Sequence, residues 1–133
     1  MDALKGSLRD NLRLIGDFAR RHNLDGFAAA FDSGLARLTA DDPFEGIYHR
    51  DLAPDGALPL AARQLLGAAQ AAWVFGGMGS WNDVSFEAVD QAHYERLSED
   101  LFQLLNTAIV VGANASAQTA PPKQPRPRWK LGR

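Results

Sequence analysis

The chain has 133 residues, of which 46% are hydrophobic and 23% charged, and it contains no cysteine. That length suits one domain, and the apolar fraction excludes wholesale disorder. The lack of cysteine excludes a disulfide scaffold, a thiolate metal site, an iron–sulfur cluster and a cysteine nucleophile.

Charge is distributed unevenly along the chain. The net charge of −2 combines −7 over residues 1–113, with 9 basic and 16 acidic residues, and +5 over residues 114–133, with 5 basic and no acidic residues. An acidic body disfavours direct binding of nucleic acid and steers basic protein partners toward it. The alternative is a surface that only confers solubility.

Two amphipathic helices are predicted first, at residues 2–22 and 25–38. Asn23 is the expected stop of the first helix, and Asp25 is the expected N-cap of the second. Such a short connection favours an antiparallel hairpin. The apolar stripes are formed by Leu4, Leu8, Leu12, Ile15 and Phe18 in helix one and by Phe27, Phe31, Leu35 and Leu38 in helix two.

The next segment, residues 39–58, breaks the helical pattern and is rich in acidic residues, proline and glycine. It is predicted to be a long loop, and loops of this length are often functional. Helix three begins near Pro59 and continues to residue 75. Because this helix is apolar on nearly every side, it is expected at the centre of the fold.

Helix four is predicted at residues 86–111, with Gly112 and Asn114 marking its end. The sequence thus predicts an all-α fold, a compact bundle of about four helices with a long acidic loop between helices two and three. No membrane span or signal peptide is expected. The buried stripe of helix four comprises Tyr94, Leu97, Leu101, Leu104, Leu105, Ala108 and Ile109.

The sequence divides into a helical domain at residues 1–113 and a tail at residues 114–133. The tail is basic and contains four of the seven prolines, so it is predicted to be flexible and partly polyproline. It either stays solvated or binds an SH3-type groove, an acidic partner or a phosphate. Trp129 between Arg128 and Lys130 is expected to dock on the body or on a partner.

Residues 76–83 read GGMGSWND and connect helices three and four. One interpretation is an anion-binding nest, although the pattern matches neither a phosphate loop nor a dinucleotide fingerprint. A second is a structural connector, in which Ser80, Asn82 and Asp83 bond local backbone groups while Met78 and Trp81 enter the core. A third is a protein-binding hot spot, because Trp stands beside short polar groups.

The stretch VFGGMGSWND, followed by the helix YERLSEDLFQLL, resembles a family of small bacterial helical proteins of unknown function. In that family a G-G-M-G-S-[FW]-N-D element joins two helices. The resemblance covers roughly residues 60–109 and leaves out the first two helices and the tail. It implies an antitoxin-like or immunity-like protein encoded beside a toxin.

Catalysis is not expected. The three histidines, His22, His49 and His93, show no H-E-x-x-H spacing, and the serines lack a G-x-S-x-G context. Glu87, Asp90 and His93 share part of a helix face, but a solvated helix start is the more probable role for them. We therefore predict no enzyme activity, no cofactor and no metal.

The functional prediction is a cytoplasmic immunity-type protein that binds and occludes a cognate bacterial toxin domain with a basic cleft. The alternative is a structural or adaptor protein that acts through oligomerisation or through its basic tail. A third possibility is a helical domain that binds a small ligand or a metal. The predicted partner-binding residues are Asp41, Asp42, Glu45, Tyr48, Trp81, Asn82 and Asp83.

Overall fold

The computed structural model describes residues 1–44, 58–76 and 79–119 of the chain. These residues form helices with no strand among them, which confirms the all-α prediction and the long connection between the second and third helices. A 3₁₀ turn, Trp81–Asp83, precedes the last helix. The four helices are α1 (Asp2–Arg21), α2 (Asp25–Arg37), α3 (Leu60–Ala71) and α4 (Ala88–Thr119).

Helix α1 ends in a Schellman motif, as the position of Asn23 predicts. Asn23 has a φ of 60°, in the left-handed region that Asn tolerates better than most residues. Its N–H donates to the carbonyl of Arg20 at 3.1 Å, and the N–H of Leu24 donates to that of Ala19 at 2.8 Å. The chain therefore reverses within a few residues, and α2 packs back against α1 as the expected hairpin.

The start of α2 differs from the prediction. Its N-cap is Leu24, which makes no side-chain cap, and Asp25 is the first helical residue. There the Asp25 carboxylate complements the positive end of the helix dipole instead of capping a backbone N–H. A salt bridge also joins α1 to α2. Arg20 Nη1 lies 2.8 Å from the carboxylate of Asp32 on the exposed side of the two helices.

Helix α3 packs between α2 and α4, and most of its residues are buried. Pro59 is its N-cap, one position before the first helical residue. The helix ends at Ala71 and not at residue 75, with Ala72 as its C-cap. Beyond that end, the carbonyl of Val74 accepts the N–H of Trp81 at 3.0 Å. Residues 73–75 therefore lie outside the helix, on a path that leads to the Gly-rich element.

Gly67 sets the distance between α3 and the segment that follows α2. A Cβ at this position would lie 2.5 Å from the carbonyl oxygen of Pro43, which Arg37 Nη1 holds at 2.7 Å. We expect Gly67→Ala to lower the free energy of unfolding by about 1–3 kcal/mol, because overpacking against fixed backbone outweighs the better helix propensity of Ala. Urea unfolding measures this change. Gly26→Ala is the matched control, since its Cβ would meet no atom within 4 Å, and an equal loss in both variants would contradict the account.

Helix α4 extends through Thr119, so the predicted helix end at Gly112 and Asn114 is wrong. Gly112 does not stop the helix but lets α3 approach closely, because a Cβ there would lie 2.7 Å from Leu66 Cγ. Ala115 is buried beside α3 as well. Residues 114–119, which the sequence assigns to the tail, thus belong to α4, and residues 120–133 lie outside the described residues.

The core is apolar apart from two buried amides. Gln64 donates to the carbonyl of Ala40 at 2.9 Å and accepts from Lys5 Nζ, so it connects α3 with α1 and with the segment after α2. Asn11 Nδ2 donates to the carbonyl of Leu97 at 3.4 Å across the contact of α1 with α4. Among the helices described, none is both long enough and apolar enough to cross a bilayer.

Candidate protein-interaction surface

The Gly-rich element is held by its own polar side chains. Asp83 accepts from the N–H of Gly79, Asn82 Oδ1 accepts from that of Gly76 at 3.4 Å, and Ser80 Oγ accepts from that of Asn82 at 3.3 Å. Gly79 has a φ of 82°, which favours glycine. These bonds confirm the connector interpretation for the three polar residues. They also occupy N–H groups that an anion nest would need.

Trp81 belongs to the core. Its indole is fully buried and donates from Nε1 to Ser98 Oγ at 2.7 Å, so the one polar atom of the ring is satisfied inside the protein. The ring lies 5.1–5.3 Å from the rings of Phe27, Phe31 and Tyr94. With no exposed surface, the Trp81 ring is part of the core and does not project as the predicted interface anchor. Met78 lies outside the described residues.

Tyr94 fixes the backbone of the same turn to α4. Its hydroxyl donates to the carbonyl of Trp81 at 2.6 Å. Burial, and then the charges of Glu95 and Asp83, raise the pKa of Tyr94 above its ordinary value, because each disfavours the phenolate. The phenol therefore keeps its proton and its hydrogen bond to a higher pH than an ordinary tyrosine would.

This raised pKa predicts a loss of stability in alkali. Above about pH 10 the unfolded chain releases the Tyr94 proton while the folded protein retains it, so the free energy of unfolding falls as the pH rises further. Below that pH the contribution is fully present. We expect urea unfolding between about pH 9 and 11 to show a smaller fall for Tyr94→Phe than for the natural chain. Identical slopes would contradict this assignment.

Three aromatic rings near the turn form a cluster that reaches the surface, which we call the aromatic patch: Trp73, Phe75 and Phe102. Trp73 and Phe102 each keep 39% of their surface exposed. The ring centroids lie 5.2 Å apart for Phe75 and Phe102, and Trp73 lies 5.7 Å from the first and 5.9 Å from the second. Contiguous exposed aromatic surface of this kind marks interaction sites more often than single exposed apolar residues do.

The aromatic patch borders a groove of about 400 Å³ between the Gly-rich turn and α4. We call it the aromatic–acidic groove, because the exposed carboxylates of Glu95 and Glu99 lie along one wall. Glu95 and Glu99 are four residues apart, so both project from one face of α4. The lining residues are Phe75, Trp81, Asn82, Tyr94, Glu95, Ser98, Glu99 and Phe102.

The structure separates the predicted partner-binding residues into two places. Asn82 lines the groove, and Asp83 is exposed next to it. Asp41 and Asp42 are exposed beyond the end of α2, whereas Phe27 contacts Trp81 near its start, so the two segments lie about 20 Å apart along the helix. Glu45 and Tyr48 lie outside the described residues.

The surface contains residues that the sequence interpretation missed. The sequence predicts that Trp73 belongs to the all-apolar helix three, and it leaves Phe102 beside the predicted apolar stripe of helix four. The sequence signal was present, since Glu95, Glu99 and Phe102 recur at spacings of four and three on the polar side of α4. The partner ring Trp73 comes from a different element, and sequence spacing does not report that contact.

The structure places the histidines in packing roles where it describes them. The rings of His22 and His93 lie 4.4 Å and 5.2 Å from that of Phe18. Within residues 1–44, 58–76 and 79–119 no group of three His, Asp or Glu side chains is placed to hold a metal ion. His49 lies outside these ranges. The aromatic–acidic groove is therefore the best candidate site in the described structure.

Comparison with known proteins adds no relative: neither protein-family models, nor curated proteins, nor solved structures give a match to this chain. The resemblance of the Gly-rich element to immunity-like proteins stays a prediction.

Proposed function

We propose that this protein is an immunity-type inhibitor that binds a basic toxin domain through the aromatic–acidic groove and the adjoining aromatic patch. The observation that carries the proposal is that the exposed ring of Phe102 lies beside the carboxylates of Glu95 and Glu99, with the exposed ring of Trp73 packed against it. Exposed aromatic rings next to charged groups are the composition of an interface hot spot with a charged rim.

Charge supports the choice of partner. Residues 1–113 carry a net charge of −7, and two of those acids line the groove itself. Enzymes that act on nucleic acids or nucleotides use basic clefts, and an acidic inhibitor is drawn to such a cleft before contact. The resemblance of the Gly-rich element to immunity-like proteins points to the same class of partner.

The proposed mechanism is occlusion. Trp73 and Phe102 would enter an apolar part of the toxin surface while Glu95 and Glu99 pair with basic side chains that otherwise contact substrate. Because the Gly-rich turn is fixed by the hydrogen bonds of Asn82, Asp83 and Tyr94, the surface is largely organised before binding, which limits the entropy cost of association. Such inhibitors protect the producing cell, so we place this one in the cytoplasm.

The test compares two acidic segments in association kinetics. The partner is first captured from the native source, identified by mass spectrometry and purified. Two variants with equal charge changes are then compared, Glu95→Lys with Glu99→Lys and Asp41→Lys with Asp42→Lys. We expect the groove variant to associate about tenfold more slowly at low salt and with less salt dependence.

The outcome separates the candidate surfaces. A slower association for the groove variant alone supports the aromatic–acidic groove. A slower association only for the Asp41 and Asp42 variant would move the interface to the acidic segment after α2. Unchanged kinetics in both variants, or a captured partner without a basic surface, would contradict the proposal.

A further inference from the structure

One exposed face of α4 continues from the aromatic–acidic groove toward the end of the helix. Positions 95, 99, 102, 106, 110 and 113 follow one another at spacings of four and three, so they share this face. Val110 is 57% exposed and Phe102 39% exposed, although both are apolar. Trp73 and Phe75 pack against Phe102 from one side. The strip is apolar near the end of α4 and becomes acidic at Glu99 and Glu95, and its outer surface stays exposed.

The chain that follows α4 has the opposite chemistry. Residues 120–133 contain five basic residues and no acid, and Trp129 stands between Arg128 and Lys130. An aromatic ring flanked by cations complements a strip in which exposed aromatic rings adjoin two carboxylates. No other segment of the sequence combines a tryptophan with this density of positive charge.

The length of this segment matches the strip. Phe102 lies 17 residues before Thr119, which is about 26 Å along the helix axis. Trp129 lies ten residues after Thr119, and an extended polyproline chain of that length spans about 31 Å. Pro121 and Pro122 do not continue a helix, so they favour a change of direction just past Thr119. A chain that returns along α4 thus brings Trp129 level with Phe102 and Lys130 close to Glu99.

From this strip, its complementary charge and the matching length, we infer that residues 120–133 fold back along α4 and occupy the aromatic–acidic groove. Trp129 packs against Phe102 and Trp73, and the basic side chains pair with Glu95 and Glu99. Attachment to α4 gives the segment a local concentration in the millimolar range, so even weak contacts keep it docked much of the time. A protein that binds the groove competes with the segment for the same surface.

The test uses the full chain alone, so its outcome does not depend on the proposed toxin partner. Because the chain lacks cysteine, Leu131→Cys introduces a single attachment point for a nitroxide spin label. The label broadens the amide signals of nearby residues in the spectrum of ¹⁵N-labelled protein. We expect strong broadening at residues 95–102 and at Trp73, and loss of that broadening in Trp129→Ala and in the double variant Glu95→Gln with Glu99→Gln.

The control removes the same number of charges elsewhere. Asp2→Asn with Asp10→Asn changes two exposed acids of α1, and we expect it to keep the broadening. Broadening confined to the end of α4, or unchanged in Trp129→Ala, would overturn the inference. So would equal broadening in a mixture of spin-labelled ¹⁴N protein with ¹⁵N protein that carries no spin label, because the occupant would then come from a second copy of the chain.

Discussion

Replacing Trp81 by Ala is expected to lower the free energy of unfolding by about 3–5 kcal/mol, because Trp81 is the largest fully buried side chain among the described residues. The indole is fully buried among Phe27, Phe31 and Tyr94, and its removal leaves a cavity between α2, α4 and the Gly-rich turn. It also leaves the hydroxyl of Ser98 without its donor. Urea unfolding monitored by circular dichroism measures the change.

Two further variants test how the Trp81 side chain contributes to the free energy of unfolding. Trp81→Phe keeps most of the apolar surface but loses the hydrogen bond to Ser98, so we expect a smaller loss than for Trp81→Ala. Trp73→Ala, at a partly exposed ring, is expected to cost about 1 kcal/mol. A loss for Trp81→Ala no larger than that for Trp73→Ala would contradict the assignment of Trp81 to the core.

The second large effect concerns binding. We expect Trp73→Ala to weaken the affinity for the captured protein partner by about 2–4 kcal/mol, or roughly 30-fold to 1,000-fold, because its ring is the exposed anchor of the aromatic patch. Isothermal titration calorimetry measures the dissociation constant. Val89→Ala is the control, since Val89 is 84% exposed on α4 and does not line the groove. An equal effect of both substitutions, or none for Trp73→Ala, would exclude the aromatic patch from the interface.

The helices are predictable from the sequence because burial on one side of a helix repeats every three or four residues. Leu8, Leu12, Ile15 and Phe18 of α1 are all fully buried, as their spacing predicts. Asn23 also signals the end of α1 through local backbone preference alone. Patterns of this kind need no knowledge of distant contacts.

The errors arise where a distant contact decides the local structure. Gly112 carries the signal of a helix stop, yet it lies inside α4, where Leu66 of α3 packs too closely for a Cβ. Helix α3 ends before Trp73 although residues 73–75 are apolar, and the carbonyl of Val74 accepts the N–H of Trp81 from the next turn. In both cases tertiary packing overrides the local preference, and a single sequence does not contain that information.

The candidate interaction surface also depends on distant contacts that the sequence does not report. Trp73 and Trp81 are both near the Gly-rich element, and composition does not show which of them is exposed. Ser98, 17 residues away, accepts the indole hydrogen bond that lets Trp81 bury completely. The fold directs Trp73 outward to join Phe102. The short polar residues were predictable, because Asn82 and Asp83 bond backbone within the turn itself.

In the function that we propose, the aromatic–acidic groove is the inhibitory face of an immunity-type protein. The most direct measurement is the catalytic activity of the captured partner, titrated with the natural chain and with the double variant of Trp73→Ala and Phe102→Ala. We expect complete inhibition by the natural chain at a one-to-one ratio, and none by the double variant at the same concentration. Binding without inhibition, or equal inhibition by both proteins, would contradict it.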